Sequence, residues 1–178
     1  GSPAMFGLRE LHKNFLPPFH DAVEAGALSV MTAYNSVDGV PCTSNKYLLN
    51  DVLKDQWGFD GYVVSDLFSI EGLTGSHYVA GSHQDASVMA LNAGVDVDLG
   101  GNAYRKLIDA VEADQIDETV VDSAVSRVLR LKFEMGLFED PYVDPQEAGE
   151  KVRRPENIAV ANKAARQSIV LLENKDDI

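Results

Sequence analysis

The apolar positions fall into two alternating rhythms. Stretches with apolar residues at three- and four-residue spacing end at a glycine, and a short, almost wholly apolar run follows each. Pro17-Pro18 opens the first stretch, Phe19, Ala22 and Val23 carry it, and Gly26 stops it. Proline in the first turn and glycine past the last are the punctuation of a helix. Leu28-Ser29-Val30-Met31-Thr32-Ala33-Tyr34 then reads as a strand. The unit recurs with Ser44-Asn45 as a cap, Leu48, Leu49, Val52 and Leu53 as the stripe, Gly58 as the stop and Tyr62-Val63-Val64-Ser65 as the strand. A third helix through Ala86, Val88, Met89 and Leu91 ends at Gly94 and leads into Val95-Asp96-Val97-Asp98-Leu99. Short buried strands, each entered from a helix, predict an α/β fold with a parallel sheet.

A closed barrel and a doubly wound sheet both fit that rhythm. Three or four β/α units make about half of a (β/α)8 barrel, which takes roughly 250 residues. The later chain is mainly helical. Tyr104, Leu107, Ile108 and Val111 fall at helical spacing, as do Val121, Ala124, Val125, Val128 and Leu129, with Asp117 as cap and Gly136 as stop. Residues 138–154 hold two prolines and many charges and read as a linker. Pro155 starts a helix to about Arg166, and Ser168-Ile169-Val170-Leu171-Leu172 reads as a strand that opens something new.

Composition narrows the partners more than the fold. The 178 residues are 45% apolar and carry a formal net charge of −13, with no basic patch. Such a surface repels nucleic acid and anionic membranes, whereas a neutral sugar is compatible with it. Cys42 is the only cysteine, so neither an intrachain disulfide nor a thiolate zinc cluster can form. No apolar run approaches the roughly 20 residues of a membrane span. Gly1-Ser2-Pro3-Ala4-Met5 reads as a vector-derived leader.

In parallel β/α folds the functional side chains sit where strands end. Tyr34-Asn35, Ser65-Asp66 and the pair Asp96 and Asp98 meet that condition. A carboxylate directly after a buried strand is costly inside and natural at a rim, so Asp66 is a candidate for catalysis; helix cap and solvated loop acid are its other readings. Asp96 and Asp98 alternate along a strand and point the same way; structural hydrogen bonding outweighs a metal site or an acid/base dyad there, because no further ligands lie nearby in sequence. His77 and His83 flank the loop 78–82 without other ligand types, which is weak support for metal. Glu71 reads as a solvated loop acid rather than a catalyst, and Cys42 as a packing residue.

Gly58-Phe59-Asp60-Gly61-Tyr62-Val63-Val64-Ser65-Asp66 resembles the nucleophile segment of glycoside hydrolase family 3. Met31-Thr32-Ala33-Tyr34-Asn35-Ser36-Val37-Asp38-Gly39-Val40-Pro41 resembles that family's preceding strand and loop, and Leu49 to Trp57 the helix between. Ala93-Gly94-Val95-Asp96 and Arg127 to Lys132 are similar to its last strand and closing helix, Gly136 to Pro141 to the barrel exit, and Ala164 to Asn174 to the entry into its second, α/β sandwich domain. The resemblance runs from about Leu16 to the end. With 1–5 set aside as the vector-derived leader, it implies the C-terminal half of a (β/α)8 TIM-type barrel over 6–137, the linker 138–154 and the start of the second domain over 155–178.

The function implied is a retaining, exo-acting β-glycosidase of the β-glucosidase or β-xylosidase type. Its substrates would be β-linked glucosides or oligosaccharides, and it would use no cofactor and no metal. Asp66 would be the nucleophile, with Tyr34 and Met31 in the sugar site. Many family members carry tryptophan after the nucleophile where this chain has Leu67. The family's Lys-His pair belongs to an upstream half-barrel and its acid/base glutamate to the second domain, so no acid/base residue is assigned. The resemblance further implies secretion or a periplasmic location, dependence on missing upstream and downstream segments, and no turnover by these residues alone. A half-barrel leaves open sheet edges that favour self-association, and a non-catalytic half-barrel is the competing reading. A phosphate-binding barrel lacks support, because there is no glycine-rich phosphate loop.

Overall fold

The computed structural model describes residues 3–175; Gly1, Ser2 and 176–178, the ends of the leader and second-domain readings, lie outside them. The chain forms two compact units, residues 1–135 and 136–178.

In the first unit, α1 (Leu8–Glu10) runs through a π turn, Leu11–Phe15, to α2 (Pro17–Glu24). Then follow β1 (Ser29–Met31), the hairpin strands β2 (Ser36–Val37) and β3 (Val40–Pro41), a π-helix over Tyr47–Gln56, and β4 (Tyr62–Val64). The short α3 (Gly72–Gly75), α4 (His83–Ala93), a 3-10 turn Ala103–Lys106, α5 (Leu107–Glu112) and the long α6 (Glu118–Glu134) complete it. The punctuation expected from sequence does its work. Asn45 Oδ1 accepts the Leu48 N–H at 3.1 Å, and Asp117 caps α6 by accepting from Thr119 N. Gly94 ends α4 at φ +109, where a side chain would also collide with Asn50.

β1 and β4 pair in parallel, Ser29 opposite Tyr62, Val30 opposite Val63 and Met31 opposite Val64. Val97 adds one parallel bridge to Val64, so the sheet is ordered as the chain is. Val30 and the fully buried Val63 face the helices, packing with Leu49, Leu53, Ile70, Leu73, Ala90 and Val95. Strand alternation turns Met31 and Val64 to the opposite face. Gly61 lets β4 lie close, because any Cβ there would overlap the Leu28 carbonyl. This is an α/β arrangement, as the apolar rhythm predicts. Ala4, inside the expected leader, pairs through its backbone with Ser36 and Asp38 at 2.8 and 2.9 Å.

The strand expected over Val95–Leu99 shrinks to its single bridge. Asp96 is the reason: its Oδ2 takes the Val63 N–H at 2.8 Å, while Asp96 N and Val97 N both donate to Val63 O at 2.8 and 3.0 Å. A side chain here replaces a rung of the ladder. The same carboxylate, with 2% of its side chain exposed, pairs with Lys54 Nζ at 3.2 Å and Arg127 Nη1 at 2.8 Å. One residue thus joins the π-helix, β4 and α6.

The second unit comprises α7 (Pro145–Lys151), inside the expected linker, and α8 (Pro155–Ser168), two residues longer than sequence punctuation predicts. Ile169, Val170, Leu171 and Leu172 are exposed and form no strand, contrary to expectation. A strand takes its backbone bonds from a neighbour, and no described residue supplies one. No helix among the described residues is long and apolar enough to cross a membrane.

Removing the Asp96 carboxylate strands a buried ammonium. Asp96→Ala is expected to cost about 3–5 kcal/mol, the usual penalty for breaking a buried pair on one side. Urea unfolding followed by the fluorescence of Trp57, the only tryptophan in the chain, measures it, and a loss below about 1 kcal/mol, the range of a surface pair, would refute the role given to this residue.

Candidate active site

Asp66 lies two residues past the end of β4, half-buried, in a turn closed by Ser69 N on Asp66 O at 3.0 Å. Its Oδ1 accepts the Leu67 N–H at 2.7 Å. Its own N–H donates to Thr32 Oγ1 at 3.3 Å, across from the end of β1. Thr32 is one end of a buried hydroxyl relay: Thr32 and Thr43 touch at 3.0 Å, and Thr43 donates to Ser69 Oγ at 3.0 Å. Because Thr43 has one hydroxyl hydrogen, Thr32 is the donor in the first contact. On the other flank, Ser65 Oγ accepts the Leu99 N–H at 2.9 Å and donates to Asp66 O at 3.0 Å.

Tyr34 comes to the same place from β1. Its phenol donates to Leu67 O at 2.7 Å. Loss of hydration, then hydrogen bonding and charge from the adjacent Asp66, push that phenol above its usual range. One phenolic hydrogen serves one acceptor at a time, and the 2.7 Å contact assigns it to Leu67. The Tyr34 carbonyl is in turn held by His77 Nε2 at 3.0 Å, so His77 tethers backbone rather than waiting for a metal.

Met31, Asp96, Asp98, Cys42 and Glu71 make no hydrogen bond to Asp66 or Tyr34 among the described residues. Met31 is 51% exposed and lines an apolar cavity of about 280 Å³ with Phe6, Phe15, Val30 and Trp57. Asp96 is consumed by its ion pairs. Asp98 Oδ2 accepts from Tyr104 N at 3.3 Å. Cys42 is buried, which raises its thiol pKa and suits packing. Glu71, expected to be solvated, instead accepts the N–H groups of Asn102 and Ala103 at 2.6 and 3.1 Å.

Residues 3–131 match the family model described as the glycosyl hydrolase family 3 N terminal domain. The chain belongs to glycosyl hydrolase family 3. A putative β-xylosidase of Formosa agariphila is 41% identical over 96% of this chain and 23% of its own length. A periplasmic β-glucosidase of Salmonella typhimurium is 37% identical over 94% of this chain and 22% of its own. Among solved structures, a β-glucosidase from Erythrobacter marinus superposes with TM-score 0.90 at 42% identity, covering 98% of this chain and 23% of that one. The β-glucosidase of Listeria innocua gives 0.89 at 37%, covering 99% and 25%. The chain therefore spans about a quarter of the length of these family 3 relatives, and the family match begins well upstream of Leu16.

Sequence reading of this family 3 segment singled out Ser65 by its position only and missed the other hydroxyls beneath Asp66: Thr32, Thr43 and Ser69. The available signal was chemical, namely hydroxyls placed at strand ends where an apolar residue would pack equally well.

The phenol is expected to ionise above the ordinary tyrosine range, and Asp66→Asn to bring it down. Spectrophotometric titration, with Tyr34→Phe identifying the component, checks both. A Tyr34 component unmoved by Asp66→Asn would refute the electrostatic contact.

Proposed function

We propose that the protein of which this chain is part is a retaining, exo-acting β-glycosidase of the β-glucosidase type, with Asp66 as nucleophile. Residues 6–137 are then the C-terminal half of a (β/α)8 barrel, 138–154 a linker and 155–178 the start of an α/β domain. The observation that carries the reading is the meeting of Asp66, past β4, with Tyr34, past β1, at one end of a parallel sheet. That is where barrels place reacting groups. The Listeria relative is known in complex with glucose, and an aspartate-to-alanine variant of it in complex with laminaribiose. Both ligands are neutral sugars, which a net charge of −13 does not repel.

In the proposed reaction the Asp66 carboxylate attacks the anomeric carbon while a separate carboxylic acid, roughly 5–5.5 Å from it in such enzymes, protonates the leaving oxygen; that group then takes a proton from water, which hydrolyses the glycosyl ester to free sugar and the Asp66 carboxylate. That acid is supplied from outside this chain. The Leu67 N–H, Thr32 and Tyr34 hold the turn, so the nucleophile need not reorganise on attack. Met31, paired with Val64 two residues before Asp66, would contact the glycone.

β-Xylosidase activity is the second reading, favoured by the Formosa relative. The ratio of kcat/KM for aryl β-glucosides and β-xylosides on the full-length protein separates the two. In that protein Asp66→Asn is expected to lower kcat on the order of 10⁴-fold or more, as loss of a covalent nucleophile does. A fluorinated glucoside should leave a glycosyl adduct on the Asp66 peptide by mass spectrometry. Full activity of Asp66→Asn would remove the assignment of the nucleophile to Asp66.

A further inference from the structure

Two carboxylates near the nucleophile turn hold oxygens that nothing in the first unit accounts for. Glu71 Oε2 and Asp98 Oδ1 are sealed from solvent and have no hydrogen-bond partner among the described residues. Their other oxygens are engaged, Glu71 Oε1 by the N–H groups of Asn102 and Ala103 and Asp98 Oδ2 by that of Tyr104. Both groups converge on one point. A Cβ on Gly101 would overlap Asp98 Oδ1 and lie 2.6 Å from each Glu71 oxygen. Two anions in such a place repel each other, and each sealed oxygen lacks a donor. A single proton answers both faults, since one carboxylic acid donates to the other carboxylate.

We propose that Glu71 and Asp98 share one proton, forming an acid–carboxylate hydrogen bond that clasps the loop 98–103 to the turn carrying Asp66. The proton comes from solvent as the loop closes, and no other bond changes. Burial first, and then the charge of Glu71, push the Asp98 carboxyl above its ordinary range, against the Tyr104 and Ala103 N–H bonds that lower it. The other groups facing the pair do not replace the proton. Tyr104 commits its hydroxyl to Val95 O, Asp96 is bound to Lys54 and Arg127, and α6 presents Val125, Val128 and Leu129 to the shared cavity. Arg105 lines that cavity without an ion pair to either carboxylate.

Glu71 is five residues past Asp66, Phe68 N bonds Leu99 O at 3.1 Å, and Leu99 N bonds Ser65 Oγ at 2.9 Å. The clasp therefore closes a ring of contacts around the nucleophile turn. Glu71 and Asp98 are positioning residues in the reaction proposed for Asp66, although the clasp itself does not depend on that reaction. The sign of the pH effect follows from linkage. A carboxyl that binds its proton more tightly when folded adds stability at low pH. That stability is lost as pH rises from the unfolded value through the raised folded one.

The test uses the full-length protein. Infrared difference spectra should show a protonated-carboxyl C=O band, displaced in D2O, that persists to a pH above the ordinary carboxylate range. Glu71→Gln and Asp98→Asn should each remove the same component of that band, leaving only the contribution of the acid proposed for the reaction. The wild-type melting temperature should fall as the band is lost. Asp98→Asn, whose amide donates permanently, should flatten that fall and move the alkaline limb of the kcat profile upward. Absence of the band above the ordinary range, or its undiminished intensity in both variants, would overturn the clasp. So would a bound divalent cation whose removal by EDTA lowers the wild-type melting temperature. Because the band is read without substrate, an active Asp66→Asn protein that retains it would refute Asp66 as the nucleophile and leave the clasp standing.

Discussion

The first unit is organised around the Asp96 carboxylate, which is almost fully withdrawn from water. Burying an anion costs several kcal/mol after relaxation, and only good geometry and full hydrogen bonding offset it. Both conditions are met by Lys54, Arg127 and the Val63 N–H. Lys54 is drawn in with it. Burial pushes that ammonium below its usual range and the nearby Arg127 charge adds to the effect, while Asp96 opposes both. Lys54 also donates to Gly94 O at 2.7 Å, so the end of α4 is tied to the same centre. An apolar cluster could fill this volume, but it would not dictate which strand edge meets which helix.

That constraint matters because the strands are so short. Three residues of β1 against three of β4 make too little ladder to fix a register alone. Asp96 fixes it on one side of β4. The Thr32, Thr43 and Ser69 hydroxyls fix it on the other, where β1 ends. Asp66 therefore sits on a turn braced from two directions, and Tyr34 reaches it from a strand whose offset is set by polar bonds. The geometry of the candidate site is a consequence of buried polar chemistry more than of sheet length.

The same point explains what could be read from the chain beforehand. Helix limits were legible because caps and stops act locally: Asn45, Asp117 and Gly94 each do what their side chain, or its absence, dictates. Tyr62–Val64 was legible because nearly every side chain is apolar. Val95–Leu99 was legible only as an element, since nothing local says that Asp96 will spend its carboxylate on the Val63 N–H. Ile169–Leu172 carries strand-forming residues, yet a strand exists only against a partner, and no propensity supplies one. At the site, position along a strand singled out Asp66 and Tyr34. Glu71 looked like one more solvated acid because its partners, Asn102 and Ala103, are about thirty residues away in sequence.

Two large side chains of the first unit carry backbone strain. Phe68 and Tyr78 both adopt left-handed conformations, at φ +57 and +54, which for large side chains costs on the order of 1 kcal/mol. Each is held by neighbours rather than by its own preference. Phe68 N bonds Leu99 O and Phe68 O accepts from Gly72 N, while Val79 and Ala80 after Tyr78 both donate to Leu73 O. Packing does not reward the strain within this unit, since the two rings are 52% and 83% exposed. The turn after Asp66 is thus bent against local preference by bonds to the adjoining loop. A chain that needed only a stable turn would place glycine there and let the ring go.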